Sequence, residues 1–201
     1  MRFIAILIVL LTEFSQFSFS QKPEASEDVH ARLIQGKSHS VIAYAGKDRS
    51  FTIDVPFKSS KPSDVPGFVT IDKQIIQATL VPADKSPRTK DEKTLLTNYM
   101  NYELNYYKKK LKQNYSNLQT EWLTLQGRTF LVWYFNMPEN YKLVSRQVYV
   151  STLFGDQVID LNAPVFKSDD WGKARNILVK LAGSMKTYDK HLDLEGLRKH
   201  M

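Results

Sequence analysis

The segment Arg128–Asn136 has the sequence RTFLVWYFN, and it carries the main information about the fold. Its apolar residues fill both sets of alternate positions, with Phe130, Val132 and Tyr134 in one set and Leu131, Trp133 and Phe135 in the other. Alternate residues of a strand point to opposite faces of a sheet. Because this segment is apolar on both faces, it predicts a central strand of a sheet that is covered on each side.

Further strand-like segments surround this strand and predict a series of hairpins. They are residues 41–44, 51–55, 68–81, 118–125, 143–154 and 157–161. The dipeptides Gln126-Gly127 and Gly155-Asp156 are compact turn signals, and the second places glycine where a type II′ turn requires a positive φ. Hairpins that follow one another along the chain form an antiparallel sheet.

Two long segments have helical periodicity. The capping box Thr89-Lys90-Asp91-Glu92 predicts a helix over residues 90–113 with one apolar stripe. A second helix is predicted to begin at a cap on Ser168 or Asp169 and to run to about residue 188. Each one-sided helix needs a sheet face to cover. The predicted fold class is therefore α+β, an α/β/α sandwich with a central mainly antiparallel sheet covered by two long helices.

The ends of the chain predict export. The expected organisation is a signal peptide (1–20), a polar leader or tether (21–40), a single α/β domain (41–190) and a C-terminal tail (191–201). A basic start, an apolar run from Phe3 to Leu11 and a small polar stretch are typical of a secretory signal peptide, cut here near Ser20-Gln21. The apolar run is shorter than the roughly 20 residues of a membrane-spanning helix. No permanent membrane span is therefore predicted, and an uncleaved anchor is the alternative.

Composition narrows the available chemistry. The 201 residues include 28 basic and 21 acidic side chains, for a net charge of +7. The absence of cysteine excludes disulfides, thiolate metal sites and cysteine nucleophiles. The sequence contains neither a Gly-x-Ser-x-Gly elbow nor a glycine-rich phosphate loop, and its four histidines lie in the predicted leader and tail. We therefore predict no enzyme, no catalytic residue and no cofactor. The tail cluster Asp189-x-His191-x-Asp193 is more typical of solvated polar residues than of a metal site, and no metal is predicted.

Several of these segments together resemble the Mog1/PsbP/DcrB-like superfamily. They are the strand FTIDVP at residues 51–56, the mid-chain helix, the hairpin series and the terminal helix at residues 177–186. The resemblance covers residues 44–188. It implies a non-catalytic binding or assembly-accessory role without fixing a partner, and no binding residue of the family is matched by position.

Cations and tyrosines gather near the end of the first predicted helix. The members of this group are Tyr102, Tyr106, Lys108, Lys109 and Lys112. The helix dipole favours cations at a helix C-terminus, which accounts for the lysines structurally. The functional alternative is a binding surface for a protein or an anionic envelope component. Nucleic acid uses similar residues, but it is not predicted because export argues against it.

Glu103 is the least expected residue of that helix, because it falls within the apolar stripe. A buried carboxylate is costly unless it is paired. We predict an ion pair with Arg128, Arg146 or Lys110, or a hydrogen bond to a tyrosine hydroxyl. The alternative is a cleft acid with a raised pKa that binds a ligand. Trp122 and Trp133 are the first candidates for a pocket wall, although aromatic residues more often fill a core.

The sequence as a whole predicts an exported, non-catalytic accessory or binding protein of the cell envelope or periplasm. The alternative is a small-ligand carrier or enzyme with a pocket between the 90–113 helix and the sheet.

Overall fold

The structure is a computed structural model that describes residues 31–56, 58–63, 67–82, 91–109 and 114–201. The predicted signal peptide, Thr89 of the predicted capping box, Lys110 and Lys112 lie outside the described residues. Strands hold 48% and helices 25% of the described residues, so the fold is mostly β.

The described residues form eleven strands and three helices. The strands are β1 (Arg32–Gln35), β2 (Ser40–Ala45), β3 (Ser50–Val55), β4 (Ser60–Pro62), β5 (Phe68–Ile71), β6 (Gln74–Pro82), β7 (Ser116–Leu125), β8 (Arg128–Asn136), β9 (Val144–Phe154), β10 (Gln157–Phe166) and β11 (Lys186–Tyr188). The helices are α1 (Glu92–Lys109), α2 (Trp171–Gly183) and α3 (Leu194–His200).

The strands form two antiparallel sheets. The smaller sheet has the order β1-β2-β3-β11, and the larger has the order β4-β5-β6-β10-β9-β8-β7. The predicted hairpins β7–β8 and β9–β10 are present. Gly155 has the predicted positive φ, 64°, and both residues of the Gln126-Gly127 turn have positive φ as well. These turns fix the register that aligns polar residues on neighbouring strands.

The central strands of the larger sheet are buried on both faces, and the sheet separates two hydrophobic cores. The first core contains Ile42, Phe51 and Ile53 of the smaller sheet, Phe130, Val132 and Ile159 of the larger sheet, and Leu178 of α2. The second core contains Leu96 and Leu104 of α1 and Leu131, Trp133, Phe135 and Val158 of the larger sheet. The alternation within β8 therefore divides its side chains between the two cores.

The predicted α/β/α sandwich with one sheet and two long helices is wrong. A second sheet shares one face of the larger sheet with α2, which has only 13 residues and ends at Gly183. Lys186–Tyr188 form strand β11 beside β3, although the sequence pattern extends the helix through them. Strands β2 and β3 are buried along nearly their whole length, so they form a layer of their own. Their partners come from distant parts of the chain, and local periodicity does not reveal such pairing.

The segments on either side of the predicted domain also take part in the fold. Residues 32–35, within the predicted leader, form β1 and pair with β2. Residues 194–200, within the predicted tail, form α3. No helix among the described residues combines the length and the hydropathy needed to cross a bilayer.

Candidate functional site

Helix α1 covers the face of the larger sheet that holds the second core. It begins next to Asp91, whose carboxylate accepts a hydrogen bond from the Thr94 backbone N–H at 2.9 Å. Hydrogen bonds from Thr94 lower the pKa of Asp91. The buried residues of the helix are Leu96, Tyr99, Met100, Leu104 and Tyr107. Glu103 is partly buried and lies within this stripe, as its position in the sequence predicts.

The sheet places a second set of polar side chains beneath α1. Ser151 of β9 lies directly across from Asp160 of β10, and Tyr149 lies across from Asn162. Trp133 of β8 is the cross-strand neighbour of Tyr149 on the other side. Because directly opposed residues share one face of a sheet, all five side chains lie on the α1 side.

A hydrogen-bond network joins these groups. Trp133 Nε1 donates to Ser151 Oγ at 3.1 Å, and Ser151 Oγ donates to Asp160 Oδ1 at 2.5 Å. Asn162 Nδ2 donates to Asp160 Oδ2 at 3.1 Å, so both carboxyl oxygens have a partner. We call Glu103, Asp160 and the side chains linked to them by hydrogen bonds or electrostatic interactions, directly or through Ser151, the acid cluster; its other members are Tyr99, Tyr107, Trp133, Tyr149, Ser151 and Asn162.

Burial dominates the electrostatics of the acid cluster. It raises the pKa of Asp160 to about 6, although hydrogen bonds from Ser151, Asn162 and Tyr99 oppose the rise. Burial raises the pKa of Glu103 to about 8, and the nearby charge of Asp160 adds to the effect. At neutral pH the two carboxyls therefore hold about one proton between them.

Tyrosine hydroxyls complete the acid cluster. Burial raises the pKa of Tyr99, Tyr107 and Tyr149 well above the usual tyrosine value, so all three stay neutral at physiological pH. The hydroxyls of Tyr107 and Tyr149 are 2.7 Å apart and share a hydrogen bond. The carboxyls and hydroxyls of the acid cluster can therefore share a proton or form hydrogen bonds with a polar group of a ligand. They are, however, enclosed by α1 and the sheet.

The predicted ion pairs of Glu103 with Arg128 and Arg146 are wrong within the described chain. Arg128 instead donates to the Leu153 carbonyl and the Thr187 hydroxyl, and Arg146 donates to Asn136. Both arginines belong to the set of alternate positions that faces away from α1. Burial raises the pKa of Glu103, as the alternative interpretation expects, while its role in binding stays a prediction.

Asp160 is the site residue that the sequence analysis missed. Val158, Asp160 and Asn162 are alternate residues of β10, and a carboxylate among apolar neighbours in a strand is the signal that could have drawn attention to it. Its proximity to Glu103 depends on the placement of α1 over the sheet. That placement joins residues far apart in the sequence.

The other predicted binding residues fall into two groups. Tyr102, Lys108 and Lys109 are exposed on the outer side of α1, and Tyr106 is partly buried. Trp122 is partly exposed on the edge strand β7, with Lys93 Nζ 5.4 Å from its ring centroid. Trp133 is fully buried and stacks on Tyr149 with ring centroids 3.8 Å apart. The binding roles assigned to these residues stay predictions.

The tail residues Asp189, His191 and Asp193 do not form a metal site in the part of the chain that the structure describes. Asp193 instead caps α3 by accepting a hydrogen bond from the Glu195 backbone N–H. His191 Nδ1 lies 3.0 Å from the Gly46 carbonyl oxygen.

Comparison with solved structures identifies the fold. The solution structure of cyanobacterial PsbP (CyanoP) from Synechocystis sp. PCC 6803 aligns with 85% of this chain and 99% of that chain, with a TM-score of 0.50 and 12% sequence identity. The resemblance to the PsbP-like superfamily is thus confirmed at the level of the fold. A crystal structure from Bacteroides thetaiotaomicron VPI-5482 aligns with 80% of this chain and 49% of that chain, at 10% identity and a TM-score of 0.25, and it supports no argument. No protein-family model and no curated protein matches the sequence.

Proposed function

We propose that the protein is an exported, non-catalytic accessory or binding protein of the cell envelope or periplasm. The observation that carries the proposal is the fold shared with cyanobacterial PsbP over 85% of the chain. The superfamily resemblance implies a binding or assembly role rather than catalysis. The acid cluster is compatible with this role, because Asp160 is 1% exposed and both of its carboxyl oxygens accept hydrogen bonds within the protein.

The outer side of α1 is the proposed contact surface for a protein partner or an anionic envelope component. Tyr102 is 59% exposed there, and the exposed cations Lys108 and Lys109 follow it in the last turns. Tyrosine is a frequent anchor in protein interfaces, because it buries a large area at a small entropic cost. The lysines add a positive field that attracts acidic groups.

Export is tested by the fate of the N-terminal segment. The full chain and Leu7→Arg, which interrupts the apolar run, are expressed in a bacterial host, and Leu7→Ile serves as the matched control. We expect the wild type and Leu7→Ile to reach the envelope fraction with a mass that lacks residues 1–20. Leu7→Arg should stay intact in the cytosolic fraction. Intact wild-type protein in the cytosol would contradict the proposal.

The contact surface is tested by charge reversal. Lys108→Glu/Lys109→Glu is compared with the matched control Lys37→Glu/Lys47→Glu, which changes two exposed lysines near the smaller sheet. After cross-linking in the native envelope, we expect a discrete adduct of the wild type and the control to be lost in the Lys108/Lys109 variant. Equal adducts in all three proteins would exclude this surface.

The second candidate function is a small-ligand carrier or enzyme that uses the space beneath α1. The observation that favours it is the convergence of two carboxyls and three tyrosine hydroxyls in the acid cluster. Native mass spectrometry of protein purified from its own envelope tests this function. A bound mass that is present in the wild type and in Glu195→Gln but absent in Glu103→Gln supports it. A folded wild type without any bound mass argues against it.

A further inference from the structure

A cleft of about 360 Å³ lies at one end of the larger sheet, on the face opposite the acid cluster. Its lining includes Asn136, Glu139, Arg146, Lys167, Asp169 and Trp171. Backbone hydrogen bonds hold its walls, from Met137 N–H to the Ser145 carbonyl at 2.9 Å and from Lys167 N–H to the Leu143 carbonyl at 2.9 Å. These backbone contacts fix the shape of the cleft. We call it the Arg146 cleft.

The Arg146 guanidinium is held in place from several sides. Its Nε–H donates to Asn136 Oδ1 at 3.0 Å, and Asn136 is its cross-strand neighbour on β8. The guanidinium carbon lies 5.4 Å from the ring centroid of Tyr134 and 4.9 Å from that of Trp171. Such cation–π contacts stabilise a cation and fix the plane of the fork.

A break in strand pairing sits beside Arg146. The register between β9 and β10 shifts after Val165, so that Ser145 has no cross-strand partner on β10. Ser145 Oγ instead donates to the Val165 carbonyl at 3.2 Å. Bulges of this kind re-aim neighbouring side chains and occur often near functional sites.

The orientation of Arg146 leaves its terminal nitrogens available. In the described chain no carboxylate lies within ion-pair distance of Arg146, and its only hydrogen bond uses Nε. A guanidinium binds a carboxylate through two parallel N–H···O bonds. We propose that the Arg146 cleft binds a small organic monocarboxylate, with the carboxylate on the Arg146 fork and an apolar body against the partly exposed Trp171 and Pro138.

The other charges of the cleft restrict the ligand. Lys167 adds a second cation, whereas Glu139 and Asp169 place two carboxylates in the same lining. These acids would repel a second negative charge on the ligand, so a monocarboxylate fits better than a dicarboxylate or a polyphosphate. The volume is near the lower end of small-molecule sites, about 300–1,000 Å³, and this favours a ligand of modest size.

Calorimetry on the full chain tests the proposal with indole-3-propionate and octanoate as carboxylate probes. Indole-3-propionamide has the same body as the first probe without its charge. We expect at least one acid to bind, and the amide to bind about tenfold more weakly than indole-3-propionate, because a charge-assisted bidentate contact is lost. Equal binding of the acid and the amide would overturn the proposal. Failure of both acids to bind at concentrations up to about 10 mM would overturn it as well, because even a weak ligand has a Kd of about 1 mM.

Variants locate the site. Arg146→Gln should remove the preference for the acid over the amide, and Arg146→Lys should weaken acid binding because lysine lacks the fork. Arg49→Lys changes another solvent-accessible arginine, paired with Asp156, and should leave binding unchanged. Equal losses in the Arg49 and Arg146 variants would contradict a specific site.

Nuclear magnetic resonance of the wild type supplies a readout that does not depend on the folding of any variant. Indole-3-propionate should shift the Arg146 Nε–H and the Trp171 indole N–H signals, and the amide should leave the Arg146 signal in place. Shifts confined to residues of α1 would assign the ligand to another part of the molecule and overturn the proposal.

Discussion

The acid cluster and the Arg146 cleft lie on opposite faces of the same sheet, and they accommodate charge in different ways. On the α1 face, no cation of the described residues contributes to the pKa of Asp160 or Glu103, and burial favours their protonated forms. On the other face, the Arg146 guanidinium lies beside two aromatic rings that also contact each other, and it donates a hydrogen bond to an amide. Strand alternation places Asp160 and Arg146 on different sides of the sheet, which prevents them from neutralising one another. A sheet that is buried on both faces thus separates charges that are near in space.

The largest effect is expected where the acid cluster joins the second core. Trp133→Ala removes a fully buried indole, its stack on Tyr149 and its hydrogen bond to Ser151. We expect the free energy of unfolding, measured by urea denaturation, to fall by about 3–5 kcal/mol. Trp122→Ala is the control, because that partly exposed indole should lower it by about 1 kcal/mol or less. Similar losses in both variants would show that the cluster does not stabilise the core.

The pH dependence of stability tests the electrostatic side of the comparison. The pKa of Glu103 is higher in the folded protein, about 8, than the usual 4.5. Its contribution to stability is therefore fully present below pH 4.5 and is lost as the pH rises through 8. We expect Glu103→Gln to reduce the decline in the free energy of unfolding between pH 5 and pH 8 by an amount on the order of 3 kcal/mol.

The contribution of Asp160 to stability depends on pH with the same sign as that of Glu103. Its pKa rises from 3.8 to about 6, so its contribution is lost at lower pH than that of Glu103. Glu139→Gln, a change of an exposed carboxyl, is the control for the Glu103 variant and should keep the wild-type pH profile. A Glu103→Gln profile as steep as that of the wild type would mean that Glu103 titrates as an exposed acid does, and the contrast between the two faces would disappear.

The tyrosine pair gives a smaller effect. Tyr107→Phe leaves the Tyr149 hydroxyl without its partner at 2.7 Å, and we expect thermal or urea unfolding to show a loss of about 1–2 kcal/mol. The double variant Tyr107→Phe/Tyr149→Phe should lose less than the sum of the two single variants, because no unpaired hydroxyl remains. Tyr102→Phe changes an exposed ring and should be neutral. Additive losses in the double variant would argue against a shared hydrogen bond.

The smallest effect is expected on the opposite face. Arg146→Met keeps much of the side-chain length but removes the cation beside the Tyr134 and Trp171 rings, and urea denaturation should show a loss of about 0.5–1 kcal/mol. Arg49→Met, on the surface, is the control. A loss as large as that of Trp133→Ala would indicate that Arg146 is a structural residue of the core, and the distinction between a preformed cleft and a buried cluster would fail.

The candidate site could be predicted from the sequence only in part. Glu103 was recognisable because helical periodicity places it among apolar residues. Asp160 lies 57 positions further along the chain, and only strand register and the placement of α1 bring the two acids together. The predicted arginine partners were wrong because a pair across the sheet requires both residues to share one face.

The fold, too, could be predicted where it depends on local sequence and could not where it depends on the pairing of distant segments. The hairpins β7–β8 and β9–β10 and the helix α1 follow from local patterns, which depend on residues a few positions apart. The smaller sheet joins β1, β2 and β3 to β11, and Lys186 pairs with Thr52 from the other end of the domain. Pairing between such distant segments leaves little trace in local periodicity.

The sequence by itself determined which segments are extended, which are helical and which strand is buried on both faces, because side-chain periodicity is a local property. The tertiary structure alone decided that a second sheet shares a face with α2. It also decided that two acids meet beneath α1 and that Arg146 lies beside two aromatic rings on the opposite side. These arrangements depend on which distant surfaces bury the most apolar area against one another, and that is a property of the whole chain.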